Sequence, residues 1–415
     1  MQTHLAPEFQ GTPEGRTAEE ILRRCVHCGF CTATCPTYQL LGDELDGPRG
    51  RIYLIKQVME GATPTAATQQ HLDRCLTCRN CESTCPSGVQ YGQLVEIGRQ
   101  VVEAKVERPR AERAKRWLLK EGLTSPLFAP AMKLGQALRP LVPAALRDKV
   151  PAKAPPQAHS WPTRSHARKV LMLMGCVQPA MMPNINSATA RVLDAAGIQT
   201  LVADGAGCCG AIRSHLNDHE GGLSDMRRNI DAWWPLVEGL TEAGRVEAIV
   251  MNASGCGLTV KEYGQALAHD PAYRDKAARI SSLTRDLSEL LPEMLPALRS
   301  RLGSRKPAQR LAYHPPCTLQ HGQRLRGGVE GALRELGFQI DVAPCDSHLC
   351  CGSAGTYSVL QPELSKQLRD RKLAALAPLQ AQTIVSANIG CIQQLQSGSA
   401  LPVRHWVEVL DDALA

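Results

Sequence analysis

Apolar positions recur at two different spacings along the chain. The change from one spacing to the other divides the chain into a helical part and a part with alternating strands and helices. Thr17 is predicted to cap a first helix through AEEILRR. In GPRGRIYLIKQVMEG, Ile52, Ile55 and Val58 fall on one helical face, and GQLVEIGRQVVEAKVE continues the helical pattern. From Lys169 onward, short apolar runs such as KVLMLMG and EAIVMN alternate with amphipathic stretches such as NSATARVLDAAG. This alternation predicts α/β units with a parallel sheet.

The α/β part carries cysteines at matching places in two halves. They follow strand-like runs or lie in the motifs GCCGA and LCCGSAG, and the first cysteine precedes the pair by 32 residues in one half and 33 in the other. The matched residues are Cys176, Cys208, Cys209 and Cys256 in the first half, and Cys317, Cys350, Cys351 and Cys391 in the second. This agreement predicts duplication of one unit. The cysteines are expected at strand ends, where parallel sheets place ligands.

Two denser cysteine runs lie in the helical part. They read CVHCGFCTATCP and CLTCRNCESTCP, and both have the C-x2-C-x2-C-x3-C-P spacing of bacterial ferredoxins. In two-cluster ferredoxins the fourth cysteine of each run ligates the other [4Fe–4S] cluster. Two [4Fe–4S] clusters are therefore predicted, with the ligands Cys25, Cys28, Cys31 and Cys85 for cluster 1, and Cys75, Cys78, Cys81 and Cys35 for cluster 2. Zinc is the alternative metal, but zinc ribbons usually offer two separated C-x2-C pairs.

Cysteine usage indicates a reducing compartment, or one where clusters are inserted before export. The 17 cysteines among 415 residues follow motif positions and do not suggest a disulfide framework. Cys345 lies outside both patterns, and no role is predicted for it. The opening residues MQTHLAPEFQGTPEG show no secretory signal, and no run of about 18 apolar residues occurs. We therefore expect a cytoplasmic protein that is soluble or peripheral.

Charge is concentrated in one stretch. Residues 105–168 contain 14 Lys and Arg against 4 Asp and Glu, whereas the whole chain has a net charge of +7. A solvated linker is one interpretation, and a surface for anionic lipid or an acidic partner is another. Nucleic acid is not an expected partner, because no binding module accompanies the charge. The apolar members of the stretch either pack on the next domain or face a membrane or partner: Trp117, Leu118, Phe128, Met132, Leu134, Leu138 and Leu141.

The α/β part resembles the cysteine-rich CCG domain of heterodisulfide reductase, anaerobic glycerol-3-phosphate dehydrogenase and related subunits. The fullest form of that motif ends in C-x2-C, but here Ala253 stands before Cys256 and Asn388 before Cys391. Each half thus keeps four cysteines where the full motif has five. A further iron–sulfur cluster, a redox-active thiol pair, and structural cysteines or zinc all remain open.

Other residues near these cysteines have more ordinary interpretations. Gly210 and Gly352 follow the cysteine pairs and are predicted to let the backbone turn closely around sulfur. His314 and His321 flank Cys317. A lone histidine is more often packed than functional, so neither is predicted to be a ligand.

Phrases between the motifs narrow the family. They include RCVHCGFCTATCPTYQLLGDELDGPRGRIYLIKQVMEG, DRCLTCRNCESTCPSG, NIDAWWPLVE, ASGCG and CCGSAGTY. From about residue 18 to the C-terminus, the chain resembles the glycolate oxidase iron–sulfur subunits of bacteria. The resemblance implies a non-flavin subunit that is not catalytic alone. FAD-containing partner subunits would oxidise glycolate, a 2-hydroxy acid like D-lactate, and electrons would pass through the clusters to a quinone or other acceptor.

Two other functions are carried forward. One is an electron-transfer subunit of a related glycerol-3-phosphate or lactate dehydrogenase. The other is a thiol/disulfide redox subunit like heterodisulfide reductase. The positive stretch, together with the absence of a transmembrane run, predicts a peripheral position at the inner face of the bacterial cytoplasmic membrane.

The predicted fold is mixed, with an α-helical two-cluster ferredoxin-type domain followed by a duplicated α/β CCG domain. No catalytic residue is predicted. The expected segments are a disordered N-terminus at 1–15, the ferredoxin-type domain at 16–106, a basic amphipathic segment with a Pro-rich linker at 107–168, and the CCG halves at 169–300 and 301–415.

Overall fold

Short helices build the N-terminal part of the molecule around one apolar core. The computed structural model describes residues 1–141, 150, 160–305 and 307–415. The helices of this part span Pro13–Arg24, Phe30–Ala33, Pro36–Leu41, Pro48–Met59, Ala66–Asp73, Asn80–Thr84 and Tyr91–Lys105, with a 3-10 turn at Glu44–Asp46. The expected helical domain is therefore present, and its helices are interrupted where the cysteine runs loop.

The helices Pro48–Met59 and Tyr91–Lys105 form the centre of this domain. Ile52, Ile55 and Val58 are buried on the face that the sequence pattern predicts, so this prediction is confirmed. A Cβ at Gly98 would lie 2.5 Å from Cγ1 of Ile55. Glycine at this position therefore sets how closely the two helices approach.

The N-terminus differs from the expected disorder of residues 1–15. The Met1 ammonium group donates hydrogen bonds to carbonyl oxygens, including that of Cys25 at 2.7 Å. The first helix begins at Pro13 and is capped by Thr12, not by Thr17. The segment lacks a periodic pattern, but scattered apolar side chains hold it against the domain core: Met1, Leu5 and Phe9.

Two helices, Arg110–Thr124 and Phe128–Ala137, lie on the surface after this domain. The structure favours a surface position for Trp117 and Leu118, which are 61% and 65% exposed. Leu134, Leu138 and Leu141 are also exposed, whereas Phe128 and Met132 are half-buried. The Pro-rich linker lies mostly outside the described residues. Within the described part of the chain, no helix has both the length and the apolar character needed to cross a membrane.

Most described cations of the basic stretch are paired with carboxylates. The side chain of Arg108 is only 3% exposed and contacts Asp73, Glu103 and Glu112. Further pairs are Lys105–Glu8, Arg113–Glu107, Arg116–Asp73, Lys120–Asp218, Arg164–Asp194 and Arg168–Glu247. The charge counted along residues 105–168 therefore overstates the charge that this surface leaves free.

Two four-stranded parallel sheets form the rest of the molecule, as the alternating pattern predicts. The strands are β1 Arg168–Met172, β2 Ile198–Leu201, β3 Ala248–Met251, β4 Thr284–Asp286, β5 Arg310–His314, β6 Gln339–Val342, β7 Thr383–Ser386 and β8 Val403–His405. The first sheet has the order β2-β1-β3-β4 and the second β6-β5-β7-β8, so corresponding strands hold corresponding places.

Helices alternate with these strands and cover the sheets. In the first half they span Gln178–Met181, Asn184–Ala195, Ala211–His215, His219–Glu238, Ser254–Lys261, Tyr263–Ala266, Arg274–Leu283 and Leu287–Leu302. In the second half they span Gly328–Glu335, Tyr357–Leu360, Pro362–Leu376, Ile389–Gln396 and Trp406–Leu414, with a π-helical turn at Thr318–Gly322 and a 3-10 turn at Ala377–Leu379. One apolar core joins the halves, because Leu291 and Met294 share it with Leu333 and Trp406.

Each sheet ends in a strand that runs directly into a capped helix. Asp286 caps Leu287–Leu302 and His405 caps Trp406–Leu414, each in a capping box completed by a glutamate. The matched sequence segments RDLSELL and RHWVEVL thus occupy the same place in the two sheets.

Candidate metal centres

The two cysteine runs of the helical domain fold into loops of the same shape. In the first loop His27 and Gly29 have φ angles of 56° and 85°, and in the second Thr77 and Arg79 have φ angles of 49° and 58°. These residues occupy equal positions between the cysteines. A left-handed conformation is unusual for a β-branched threonine. Such strained residues occur mainly at functional sites, where the surrounding structure holds them in place. The turns direct three thiols of each run to one side.

The fourth cysteine of each run lies with the other run. One cavity is lined by Cys25, Cys28, Cys31 and Cys85, and also by Cys81. A neighbouring cavity is lined by Cys35, Cys75, Cys78 and Cys81. The structure thus brings together the same two sets of four thiols that the sequence predicts, in which each run supplies its fourth cysteine to the other run's cluster.

Donors and a buried cation surround the second of these sites. Cys75 Sγ accepts hydrogen bonds from the Thr77 backbone N–H at 3.4 Å and from the Tyr91 hydroxyl at 3.6 Å. The Arg51 side chain is 1% exposed. Despite burial, the pKa of Arg51 is raised, because Tyr91, Cys75, Cys35 and Asp46 surround it with negative charge when ionised. These groups favour negative charge on sulfur.

A hydrogen-bond network fixes Arg51 in place. Its guanidinium donates to the His71 carbonyl at 2.7 Å and to Thr37 Oγ1 at 3.1 Å. It also pairs with Asp46, whose other carboxylate oxygen accepts from Arg74 at 2.8 Å. Buried charges persist where they are paired and hydrogen-bonded in this way.

The donor set fits iron–sulfur clusters. The cysteines are free thiols that lie in two sets of four, and Cys75 Sγ accepts from one backbone and one side-chain donor. Thiolates in sets of four are the ligands of [4Fe–4S] clusters, and hydrogen bonds to sulfur tune the potential of such clusters.

Each half of the α/β part gathers a further set of four thiols beyond the carboxyl ends of its strands. In the first half, sulfur contacts link Cys176 to Cys208, Cys208 to Cys209, and Cys209 to Cys256. Hydrogen bonds from Cys176, Cys209 and the backbone N–H of Gly210 lower the pKa of Cys208. The first half therefore favours a thiolate at this position.

The second half repeats this chain of contacts. The sulfurs of Cys317 and Cys350 are 3.8 Å apart, and contacts continue through Cys351 to Cys391. All four thiols of this half are buried. Cys345 is exposed and belongs to neither set.

The glycine after each cysteine pair makes the tight turn that the sequence predicts. Gly210 and Gly352 have φ angles of 95° and 84°. A Cβ at Gly352 would lie 2.4 Å from the Ser365 carbonyl oxygen, and one at Gly210 would lie 2.8 Å from that of Gly222. Both the backbone conformation and the close approach therefore require glycine.

The thiols of the second half lie against the loop of cluster 2. Cys78 packs on an apolar group that contains Cys317 and Cys350, together with Leu76 and Tyr357. Across the same boundary, Ser83 Oγ lies 2.9 Å from His321 Nδ1 and the Tyr357 hydroxyl donates to the Arg74 carbonyl at 3.2 Å. No local pattern in the sequence indicates this contact, because its paired residues are 238 and 283 positions apart.

The two histidines near Cys317 have different surroundings. His321 is buried, and both of its ring nitrogens are engaged, with Ser83 and with the His348 carbonyl at 2.8 Å. It is packed, as expected. His314 is also buried, but it lies beside Cys351 and Cys391. Its place at the end of β5, three residues before Cys317, is the sequence signal that could have drawn attention to it.

Comparison with known proteins agrees with this arrangement. Residues 21–89 match the 4Fe-4S dicluster domain, and residues 170–261 and 311–396 each match the cysteine-rich domain named CCG. The glycolate oxidase iron-sulfur subunit of Escherichia coli (strain K12) is 55% identical over 420 residues, which cover 100% of this chain and 99% of that protein. The chain belongs to the glycolate oxidase iron–sulfur subunit family.

More distant relatives cover different shares of the chain. The probable glycolate oxidase iron-sulfur subunit of Bacillus subtilis (strain 168) is 30% identical, over 94% of this chain and 92% of that protein. Lactate utilization protein A of Exiguobacterium sp. is 25% identical over 254 residues, which cover 59% of this chain and 98% of that protein. Membership of the family accounts for the combination of a dicluster domain with two cysteine-rich regions.

Proposed function

We propose that this chain is the electron-transfer subunit of a glycolate oxidase. FAD on partner subunits would take a hydride from glycolate, and electrons would leave through this chain to a quinone or other acceptor. The observation that carries the proposal is the pair of crossed four-thiol sites, which belong to a chain related over its full length to the Escherichia coli subunit. When bound, [4Fe–4S] clusters take up and release single electrons, whereas a flavin collects two.

The residues of this chain hold and adjust those sites. Cys25, Cys28, Cys31 and Cys85 would hold cluster 1, and Cys75, Cys78, Cys81 and Cys35 would hold cluster 2. Arg51 and the Tyr91 hydroxyl stabilise negative charge on sulfur at the second site. Leu76 and Tyr357 belong to the apolar group in which Cys78 packs against the second half.

We also propose that Cys317, Cys350, Cys351 and Cys391 hold a further iron–sulfur centre. Their sulfurs form a buried chain of contacts, and Cys78 of cluster 2 packs against that chain. A centre held by these thiols would lie next to cluster 2 and would continue the series of iron–sulfur centres from the dicluster domain. The buried position also disfavours a thiol pair that must meet a diffusing substrate.

Anaerobic co-purification of the tagged chain tests the main proposal. We expect FAD and a flavoprotein to co-elute, and glycolate to reduce that flavin. Cys28→Ala should abolish quinone reduction while flavin reduction by glycolate survives, because hydride transfer takes place on the partner. Cys345→Ala is the matched control, since Cys345 is exposed and belongs to neither thiol set. A Cys28→Ala complex that keeps its FAD and reduces quinone at the wild-type rate would refute the electron-transfer role. Flavin reduction by lactate or glycerol 3-phosphate but not by glycolate would refute the substrate.

We further propose that the chain associates peripherally with the inner face of the cytoplasmic membrane. Trp117, Leu118 and Leu134 expose apolar surface on neighbouring helices. Arg110 and Lys133, on the same helices, have no ion pair within the described part of the chain. Each free cation near an anionic surface contributes about 1 kcal/mol, so the apolar side chains must supply much of the binding.

Vesicle flotation separates these contributions. We expect the full chain to float with vesicles that contain anionic phosphatidylglycerol, and high salt to weaken this binding. The double substitution Trp117→Ser and Leu118→Ser should remove it. Leu240→Ser is the control, because Leu240 is 75% exposed but lies in the first half of the α/β part. Unchanged flotation of the double variant would refute the membrane surface.

A further inference from the structure

His314 is a buried histidine whose ring finds no hydrogen-bond partner among the described residues. It is the last residue of β5 and is 1% exposed. Within the described part of the chain, neither Nδ1 nor Nε2 finds a donor or acceptor. Buried polar groups almost always have partners, because an unsatisfied one keeps its full cost of desolvation. We therefore expect a ring nitrogen of His314 to bind a group that is absent from the protein chain itself.

The ring of His314 faces thiols of the second half. A ring nitrogen of His314 and the sulfurs of Cys351 and Cys391 all lie within 4.8 Å of one another. Cys351 continues through Cys350 to Cys317 in the same chain of sulfur contacts. One imidazole thus lies with two buried thiols, and the other two thiols follow in the same chain of sulfur contacts. Imidazole and thiolate together are ligands for iron and zinc.

The other half and the other buried histidines lack this arrangement. The position three residues before the first cysteine is Leu173 in the first half, and Leu173 is buried and apolar. His321 has both ring nitrogens engaged. His405 contacts the Asn252 carbonyl and accepts from the Val407 N–H. Free nitrogens therefore distinguish His314 from these histidines.

We propose that His314 is a nitrogen ligand of the metal centre held by the cysteines of the second half. The inference rests on the proposed function in one respect, namely that these cysteines hold a centre. The metal is iron of a cluster or a single zinc ion, since both accept imidazole with thiolate. With Ala253 and Leu173 in the first half, the two halves would differ in their ligands. A neutral imidazole in place of a thiolate raises the potential of an iron–sulfur centre, as histidine ligation does in Rieske centres.

The test uses the full-length chain, purified anaerobically with 15N-labelled histidine. Pulsed EPR of the reduced protein should show a coupling between the iron centre and a 15N nucleus of histidine. If the metal is zinc, X-ray absorption at the zinc edge should show a nitrogen ligand instead. Metal content should fall by about four irons, or by one zinc, in His314→Ala. His321→Ala should retain both the coupling and the metal.

The outcomes separate this inference from the proposed centre. Loss of metal in Cys351→Ser, with neither a histidine coupling in EPR nor a nitrogen ligand at the zinc edge in the unmutated protein, would refute ligation by His314 and leave the centre standing. No metal loss in Cys351→Ser and Cys391→Ser would refute the centre and the inference together. Because the coupling is measured on the unmutated chain, failure of a variant to fold does not affect the decision.

Discussion

Cys78 of the ferredoxin-type domain packs against Cys317 of the second cysteine-rich half. The two residues lie on different domains, yet one apolar group with Leu76 and Tyr357 surrounds them both. Cluster 2 is thereby the immediate neighbour of the second-half thiols. The site of cluster 1, by contrast, is lined within the described part of the chain by residues of the ferredoxin-type domain alone.

This contact predicts that the second-half thiols influence cluster 2. Cys317→Ser should shift the midpoint potential of cluster 2, because it changes the charge and polarity beside a cluster ligand. Cys176→Ser, the matching change in the first half, should leave that potential unchanged. Redox titration followed by EPR measures both. Equal shifts in the two variants would contradict the asymmetry.

The crossed ligand sets predict which cluster each fourth cysteine supports. Cys85→Ser should remove cluster 1, because Cys85 lies with Cys25, Cys28 and Cys31. Iron should fall by about four per chain, and the spectrum of cluster 2 should persist. Cys35→Ser should have the opposite effect. Iron analysis with EPR decides, and damage by Cys85→Ser confined to cluster 2 would contradict the crossing.

Much of the architecture could be predicted from local sequence patterns. The helix that begins at Pro48 has an unbroken apolar face, and the strands β1, β3, β5 and β7 coincide with short apolar runs. Both signals depend on neighbouring residues alone, so the sequence displays them directly. The parallel sheets followed from the alternation of these runs with amphipathic helices.

Features that depend on distant partners were not visible in the sequence. Arg108 contributes to the counted positive charge, but Asp73 and Glu103 neutralise it from another part of the chain. The N-terminal residues have the composition of a disordered segment, but in the structure Phe9 packs against the helical core. His314 looks like a packed residue until Cys391, brought in by β7, lies beside it. Each depends on tertiary contacts that no local pattern reports.

The close approach at Gly98 predicts opposite effects for two glycine substitutions. Gly98→Ala should destabilise the domain by about 1–3 kcal/mol, because the added methyl group meets Ile55. Gly122→Ala should stabilise the protein by roughly 0.5–1 kcal/mol, since no atom of the described residues lies within 4 Å of its Cβ position and alanine favours helix. Anaerobic denaturant unfolding measures both. A Gly98→Ala variant as stable as the unsubstituted chain would mean that the helices are not held so closely.

His405 predicts a loss of stability in mild acid. Burial lowers the pKa of His405 to about 3, whereas the unfolded residue titrates near its ordinary value of about 6.5. The folded state therefore resists protonation, and stability that is present above pH 6.5 is lost as the pH falls toward 3. The expected slope from this group is up to about 1.4 kcal/mol per pH unit. His405→Asn should make the slope shallower between pH 6.5 and 5 in unfolding measurements. His269→Asn, at an exposed site, should not.

Arg51 should affect both the stability of the domain and the potential of cluster 2. Arg51→Met keeps the apolar volume but leaves Asp46, which is fully buried, without one of its cationic partners. We expect a loss of about 3 kcal/mol, near the lower end for a broken buried pair, because Arg74 and His71 still contact Asp46. The potential of cluster 2 should fall, by roughly 60 mV for each 1.4 kcal/mol of lost interaction with the reduced cluster. Redox titration and denaturant unfolding measure the two effects. Arg49→Met is the control, since Arg49 is more exposed and pairs with Glu44 at the surface. A potential that moves equally in both variants would mean that the buried charge does not set it.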